Sequence, residues 1–150
     1  MSKIILIGCG KLKRDNICAA RDLYCGSLFD SRRQYAERQI APWLILSAKH
    51  GLLNPDTIVS PYDLVISDLS PLDQVAWSAG VVLQLCEFID NDTLNFAELR
   101  DVHCEIHAGA GYAERLVDVL TAAGFSASWP VKGLSQGLQM KFYADRKVVA

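Results

Sequence analysis

Trp43-Leu-Ile-Leu-Ser-Ala-Lys-His-Gly-Leu-Leu-Asn-Pro-Asp56 is the stretch that decides how the chain folds. Four large apolar residues open it, the length of a short buried strand. Small, cationic and flexible residues follow at Ser47-Ala48-Lys49-His50-Gly51, and Asn54-Pro55-Asp56 carries a turn signal. A buried strand that runs into a polar, glycine-bearing loop is where an open α/β sheet receives its ligand. Ser47, Lys49 and His50 stand at that point, with Asp56, Tyr62 and Asp63 a few residues later.

The same order recurs on both sides of this stretch. Upstream, the β-branched run Lys3-Ile-Ile-Leu-Ile7 predicts a central strand, closed by Gly8-Cys9-Gly10-Lys11. Downstream, Val102-His-Cys-Glu-Ile-His107 alternates and ends in Ala108-Gly109-Ala-Gly111-Tyr112. Helices are predicted over Ala19–Gln39, in two pieces broken near Gly26-Ser27, and from Ser70-Pro71 onward. The second is capped by Ser70 and ends at Asp90-Asn91-Asp92. Val75, Trp77, Val81, Val82, Leu85, Cys86 and Ile89 supply its apolar positions. A third helix runs from Tyr112 to Ala123 and stops at Gly124, and a last one begins near Leu138. Pro61 keeps Ile58–Asp63 out of any central strand and makes it an ordered loop. A short final strand is read at Ala127-Ser-Trp129, and Arg32 and Arg33 read as a solvated pair. The prediction is one α/β domain over residues 1–150, three layers (αβα) around a mainly parallel, Rossmann-like sheet.

Bulk properties limit the function classes. The chain has 150 residues, 51% of them hydrophobic, and a formal net charge of −2. That suits a packed core and supplies no global positive field, so polyanion binding requires a local basic patch. No apolar run approaches a membrane span, and the apolar run after Lys3 is too short for export, so a cytoplasmic location is expected. Cys9, Cys18, Cys25, Cys86 and Cys104 are irregularly spaced with no Cys-x-x-Cys pair. They read as reduced thiols, and no metal or other cofactor is expected.

If the three strands are parallel, their loops emerge at one edge of the sheet. That edge collects Cys9, Gly10, Lys11, Ser47, Lys49, His50, His107, Gly109, Gly111 and Tyr112, and the last strand adds Gly133–Gln139. Lysines and glycine turns suit an anionic ligand, tyrosines suit a planar base, and Asp56 or Asp63 suits water activation or a cationic sugar. No dinucleotide fingerprint, phosphate loop, Gly-x-Ser-x-Gly elbow or paired-histidine metal motif is present.

These motifs carry a resemblance. Cys9-Gly10-Lys11-Leu12-Lys13, Ala20-Arg-Asp-Leu23-Tyr24 through Phe29, Ser47 to Leu52, Pro61-Tyr62-Asp63 and Ala108-Gly109-Ala-Gly111-Tyr112 resemble a poorly characterised bacterial and phage domain family. That family is distantly similar to the peroxide-stress YaaA proteins, to a domain of archaeosine synthase and to the uracil-DNA-glycosylase-like α/β fold. The resemblance implies work on nucleic-acid bases, including removal of modified bases in phage defence. The glycosylase Gly-Gln-Asp-Pro-Tyr and His-Pro-Ser loops are absent.

The expectation is therefore an enzyme acting at an N-glycosidic bond of a nucleic acid or nucleotide. Asp63 is its carboxylate and Asp56 the rival, His50 serves the base, and Lys49 holds an anionic group. The alternative is a non-catalytic module that binds a nucleotide or modified base. A carboxylate in the pocket favours the enzyme, and a pocket of cations and backbone donors alone favours binding. The sequence does not specify an oligomeric state.

Overall fold

The first strand, β1 (Ser2–Gly8), buries Ile4, Ile5, Leu6 and Ile7 completely. Alternate residues of a strand face opposite sides, so a strand buried throughout must be covered on both faces. This holds in the computed structural model, which describes residues 2–91 and 101–147. Ile4 and Leu6 join one core and Ile5 and Ile7 the other.

The remaining elements follow in order. A two-residue strand β2 (Cys18–Ala19) leads to the short helix α1 (Ala20–Leu23) and to α2 (Ser27–Arg38). Strands β3 (Trp43–Ser47), β4 (Gly51–Leu53) and β5 (Ile58–Val59) precede the long helix α3 (Pro71–Asp90). Then come β6 (Val102–His107), α4 (Ala110–Ala122), β7 (Ser126–Ser128) and α5 (Gln136–Ala144). The main sheet has the order β4-β3-β1-β6-β7, with β3, β1, β6 and β7 parallel and β4 antiparallel at one edge. α3 and α4 contribute Val81, Leu85, Leu116 and Leu120 to the core on one face, and α2 contributes Phe29 and Ala36 to the other. Burying each of these valine, leucine and phenylalanine side chains contributes about 1.5–3 kcal/mol.

Local chemistry explains the boundaries. Ser70 caps α3, its Oγ accepting the Asp73 N–H at 3.1 Å, with Pro71 in the first turn. Ser135 caps α5 in the same way. Gly124 at φ +103 ends α4 in the left-handed conformation that glycine favours.

Several expectations need correction. Gly51–Leu53 is a strand: Gly51 turns at φ +71, and Gln84 pins the hairpin, accepting from Leu52 N–H and donating to the His50 carbonyl. Ile58–Val59 is also paired, antiparallel to β2 in a separate two-stranded sheet, where Pro61 interrupts nothing. Val75, in the second turn of α3, is 51% exposed and does not join the core. Arg32 is buried, while Arg33 lies near the surface and pairs with Glu37 and Asp22. The helix end expected at Asp90-Asn91-Asp92 falls at Asp90, and Asp92 lies outside the described residues.

Candidate functional site

The strand order reverses at β1. The chain leaves β1 for β3 through α2 on one face, and reaches β6 on its other side through α3 on the opposite face. The loops after β1 and β6 therefore part, and a crevice opens at the carboxyl ends of the strands. A cavity of about 500 Å³ lies there. Cys9, Gly10 and Lys11 line it from the β1 loop, and Gly109, Gly111 and Tyr112 from the β6 loop. Six predicted residues thus share one cavity. Gly8 lets the ends of β1 and β6 approach at the base of the crevice, since a Cβ there would stand 2.9 Å from the Ala108 Cβ.

Behind Cys9 lies a chain of hydroxyls. The Cys9 Sγ is 3.3 Å from the Tyr112 hydroxyl and 3.9 Å from that of Tyr62. Tyr62 in turn lies 2.5 Å from the Tyr24 hydroxyl and 2.6 Å from Ser47 Oγ. Burial, reinforced by Cys9, pushes Tyr24 up to about 12 and raises Tyr62 and Tyr112 further. All three are neutral phenols at pH 7, so they can donate as well as accept. Ser47 is fully buried and holds this cluster: its Oγ accepts the His50 backbone N–H, and its carbonyl accepts the Trp77 indole N–H at 2.8 Å. It acts behind the site and does not line the cavity.

The tyrosine cluster leads into a neighbouring cleft. Lys11 and Leu12 line both spaces, and the second also has Lys13, Arg14, Tyr62 and Asp63. Lys13 Nζ lies 4.4 Å from the Tyr62 ring centre and Lys49 Nζ 5.7 Å. Lys11, Lys13 and Arg14 put three cations in this cleft, against the carboxylates of Asp15 and Asp63. Asp63 is exposed beside them, outside the main cavity.

Lys49 is exposed and lines neither cleft, and three further predicted residues lie elsewhere. Asp56 pairs with Arg21 beside the β2–β5 sheet, its side chain 79% exposed, and lines neither cleft. His50 lies against Leu52 and Gln84 in a separate depression, its ring edge-on to Tyr62, and burial followed by the Lys49 charge lowers its pKa. It is neutral at pH 7. His107 is fully buried on the α2 face of the sheet and cannot touch a ligand in the crevice. Its Nε2 bonds Glu105 at 2.7 Å and its Nδ1 lies 2.9 Å from the Tyr143 hydroxyl. Burial disfavours a charged Glu105, but bonds from His107 and Tyr35 and the charges of His107 and Lys3 outweigh it and hold Glu105 down to about 2. An ionised carboxylate only accepts, so the His107 Nε2 carries the proton.

Arg32 is a wall of the main cavity that the sequence did not disclose. It is 5% exposed. Nη1 donates to the Gly8 carbonyl at 3.3 Å and Nη2 to Gln139 Oε1 at 3.0 Å, while Nε has no partner among the described residues. Burial lowers its pKa, opposed by the neighbouring Tyr143. The only advance signal was its place one helical turn after Leu28-Phe29, on the face that α2 buries.

A family model described as "Family of unknown function (DUF6884)" matches residues 4–145. The uncharacterized protein YfjM of Bacillus subtilis (strain 168) is 35% identical over 78 residues, which are 47% of this chain and 52% of the relative. The match thus spans about half of that relative's length. No solved structure matches.

Proposed function

We propose that this chain, which belongs to the family of unknown function DUF6884, binds a nucleotide in the crevice between β1 and β6 and acts on its N-glycosidic bond. The observation that carries the reading is the meeting of two clefts at Lys11 and Leu12. One is a half-open cavity walled by glycine turns, Arg32 and the Phe29 and Tyr112 rings. The other holds Asp63 among Lys11, Lys13 and Tyr62. A nucleotide spanning the shared wall puts its sugar beside Asp63.

In this reading the base leaves from an oxocarbenium-like sugar, and Asp63 stabilises that cation or takes a proton from the attacking water. Lys11 and Lys13 hold anionic oxygens. Lys49, over the Tyr62 ring, takes the position of a further anion contact, and neutral phenols donate to the departing base. A base within a duplex is flipped out to reach this site. The motif resemblance to uracil-DNA-glycosylase-like, YaaA-like and archaeosine synthase domains supports the same class, including excision of modified bases in phage defence.

One observation favours a second reading, a non-catalytic nucleotide or modified-base binder: among the described residues, no Asp or Glu lines the main cavity. The test is incubation with normal and modified nucleic acids and nucleotides, with mass-spectrometric detection of free bases. The enzyme reading expects base release that falls on the order of a hundredfold or more in Asp63→Asn, with binding kept. Binding without release from any substrate establishes the second reading in its place.

A further inference from the structure

We propose that the crevice has a built phosphate subsite whose floor is Arg32. It rests on the reading of this cavity as the ligand site, and does not depend on the glycosidic chemistry. Three helices begin at its wall: α2 at Gly26-Ser27, α4 at Gly109 to Gly111, and α5 at Gln136. The first-turn N–H groups of a helix lack intrahelical partners and carry partial positive charge. α2 and α4 have glycine N-caps, Gly26 and Gly109, so no cap side chain satisfies those donors.

Arg32 supplies the independent observation. A guanidinium is always charged, and a buried charge needs a partner. Here the partners are neutral, the Gly8 carbonyl, the Gln139 amide and the adjoining Tyr143 hydroxyl, and the buried Nε is unpartnered among the described residues. No described carboxylate lies within ion-pair distance of Arg32 or lines the cavity. A fork of donors and three positive helix ends match a tetrahedral, multiply charged oxyanion. The volume, about 500 Å³, exceeds a lone ion, and Phe29, Ile66 and Tyr112 give the rest apolar walls. The ligand is therefore an organic phosphate, with the phosphate inward and the remainder toward Lys11.

The phosphate comes from a free nucleoside monophosphate or from the phosphorylated end of a nucleic acid. The test is calorimetric titration with inorganic phosphate, the common nucleoside 5′-monophosphates, the matching nucleosides, and one oligonucleotide with and without a 5′-phosphate. At least one monophosphate is expected to bind tenfold or more tightly than its nucleoside, with inorganic phosphate competing. Preference for the phosphorylated oligonucleotide over the monophosphates assigns the source to a nucleic-acid end, and the reverse order to a free nucleotide.

The decisive variant is Gly109→Asp. A Cβ there meets nothing within 4 Å, and its φ of −69 and ψ of 166 are those of an ordinary N-cap. Aspartate is a preferred N-cap, so the fold is kept while a carboxylate occupies the anion's donors. Gly109→Asp is expected to lose monophosphate affinity tenfold or more with no fall in melting temperature. Equal binding of nucleosides and monophosphates, or parent-level phosphate affinity in folded Gly109→Asp, overturns the proposal. Phosphate binding without base release from any substrate removes the glycosidic reading and leaves this one standing.

Discussion

Glu105 and Arg32 are both charged, both buried, and both on the face of the sheet that α2 covers, yet the fold treats them differently. Glu105 accepts from Tyr35 at 2.6 Å and His107 at 2.7 Å, and pairs with Lys3 at 3.2 Å. Arg32 has only neutral partners, the Gly8 carbonyl, Gln139 and the Tyr143 hydroxyl, and one orphan nitrogen among the described residues. A buried charge whose lone pairs are saturated holds structure together. One left with spare donors at a cavity wall is provision for something that arrives later. The two lie on one connected polar path, since Tyr143 touches His107 and bears on Arg32.

The largest expected effect breaks the Glu105 side of this contrast. Glu105→Leu leaves Lys3, Tyr35 and His107 without their acceptor, and should cost about 3 kcal/mol in urea unfolding. A cost near zero would mean that the cluster is not structural. The pH dependence sharpens the same point. Glu105 is depressed in the folded state to about 2 from an ordinary value of 4.5. Its stabilisation is therefore fully present above pH 4.5 and is lost as pH falls toward 2, and it amounts to something on the order of 3 kcal/mol. Glu105→Gln should flatten that segment of the acid stability curve, and an unchanged curve would contradict the assignment. At the small end, Asp56→Asn removes only a surface ion pair with Arg21. It should change stability by less than about 0.5 kcal/mol and leave any base release at the parent rate. A large loss of turnover would restore Asp56 to the site.

Much of the frame was legible because apolar runs and strand-end glycines are local signals. Ile4–Ile7, Trp43–Leu46 and Val102–Ile106 come together as parallel neighbours, and Cys9, Gly10, Lys11, Gly109, Gly111 and Tyr112 share a cavity because each follows a strand. The errors came from information that is not local. His107 does end a strand, as its sequence predicts, but it is no ligand contact: the alternation of β6 sends it with Glu105 to the face opposite Cys104 and Ile106. Gly51–Leu53 becomes a strand only through its pairing with β3 and the Gln84 clamp from a distant helix. Arg32 looked solvated beside Arg33, and only the packing of α5 over α2, bringing Gln139 and Tyr143, buries one of the pair. A buried arginine and an exposed one have the same sequence signal.

The central claim is that Arg32 stands ready for a ligand, whereas Glu105 completes a structure. It is tested most directly by Arg32→Met, measured for nucleoside 5′-monophosphate binding and for urea stability in the same preparation. The account predicts at least a tenfold loss of affinity with stability changed by only about 1 kcal/mol, since hydrogen bonds to neutral partners are lost while a buried charge is relieved. A folded Arg32→Met protein that binds the monophosphate as tightly as the parent would contradict it.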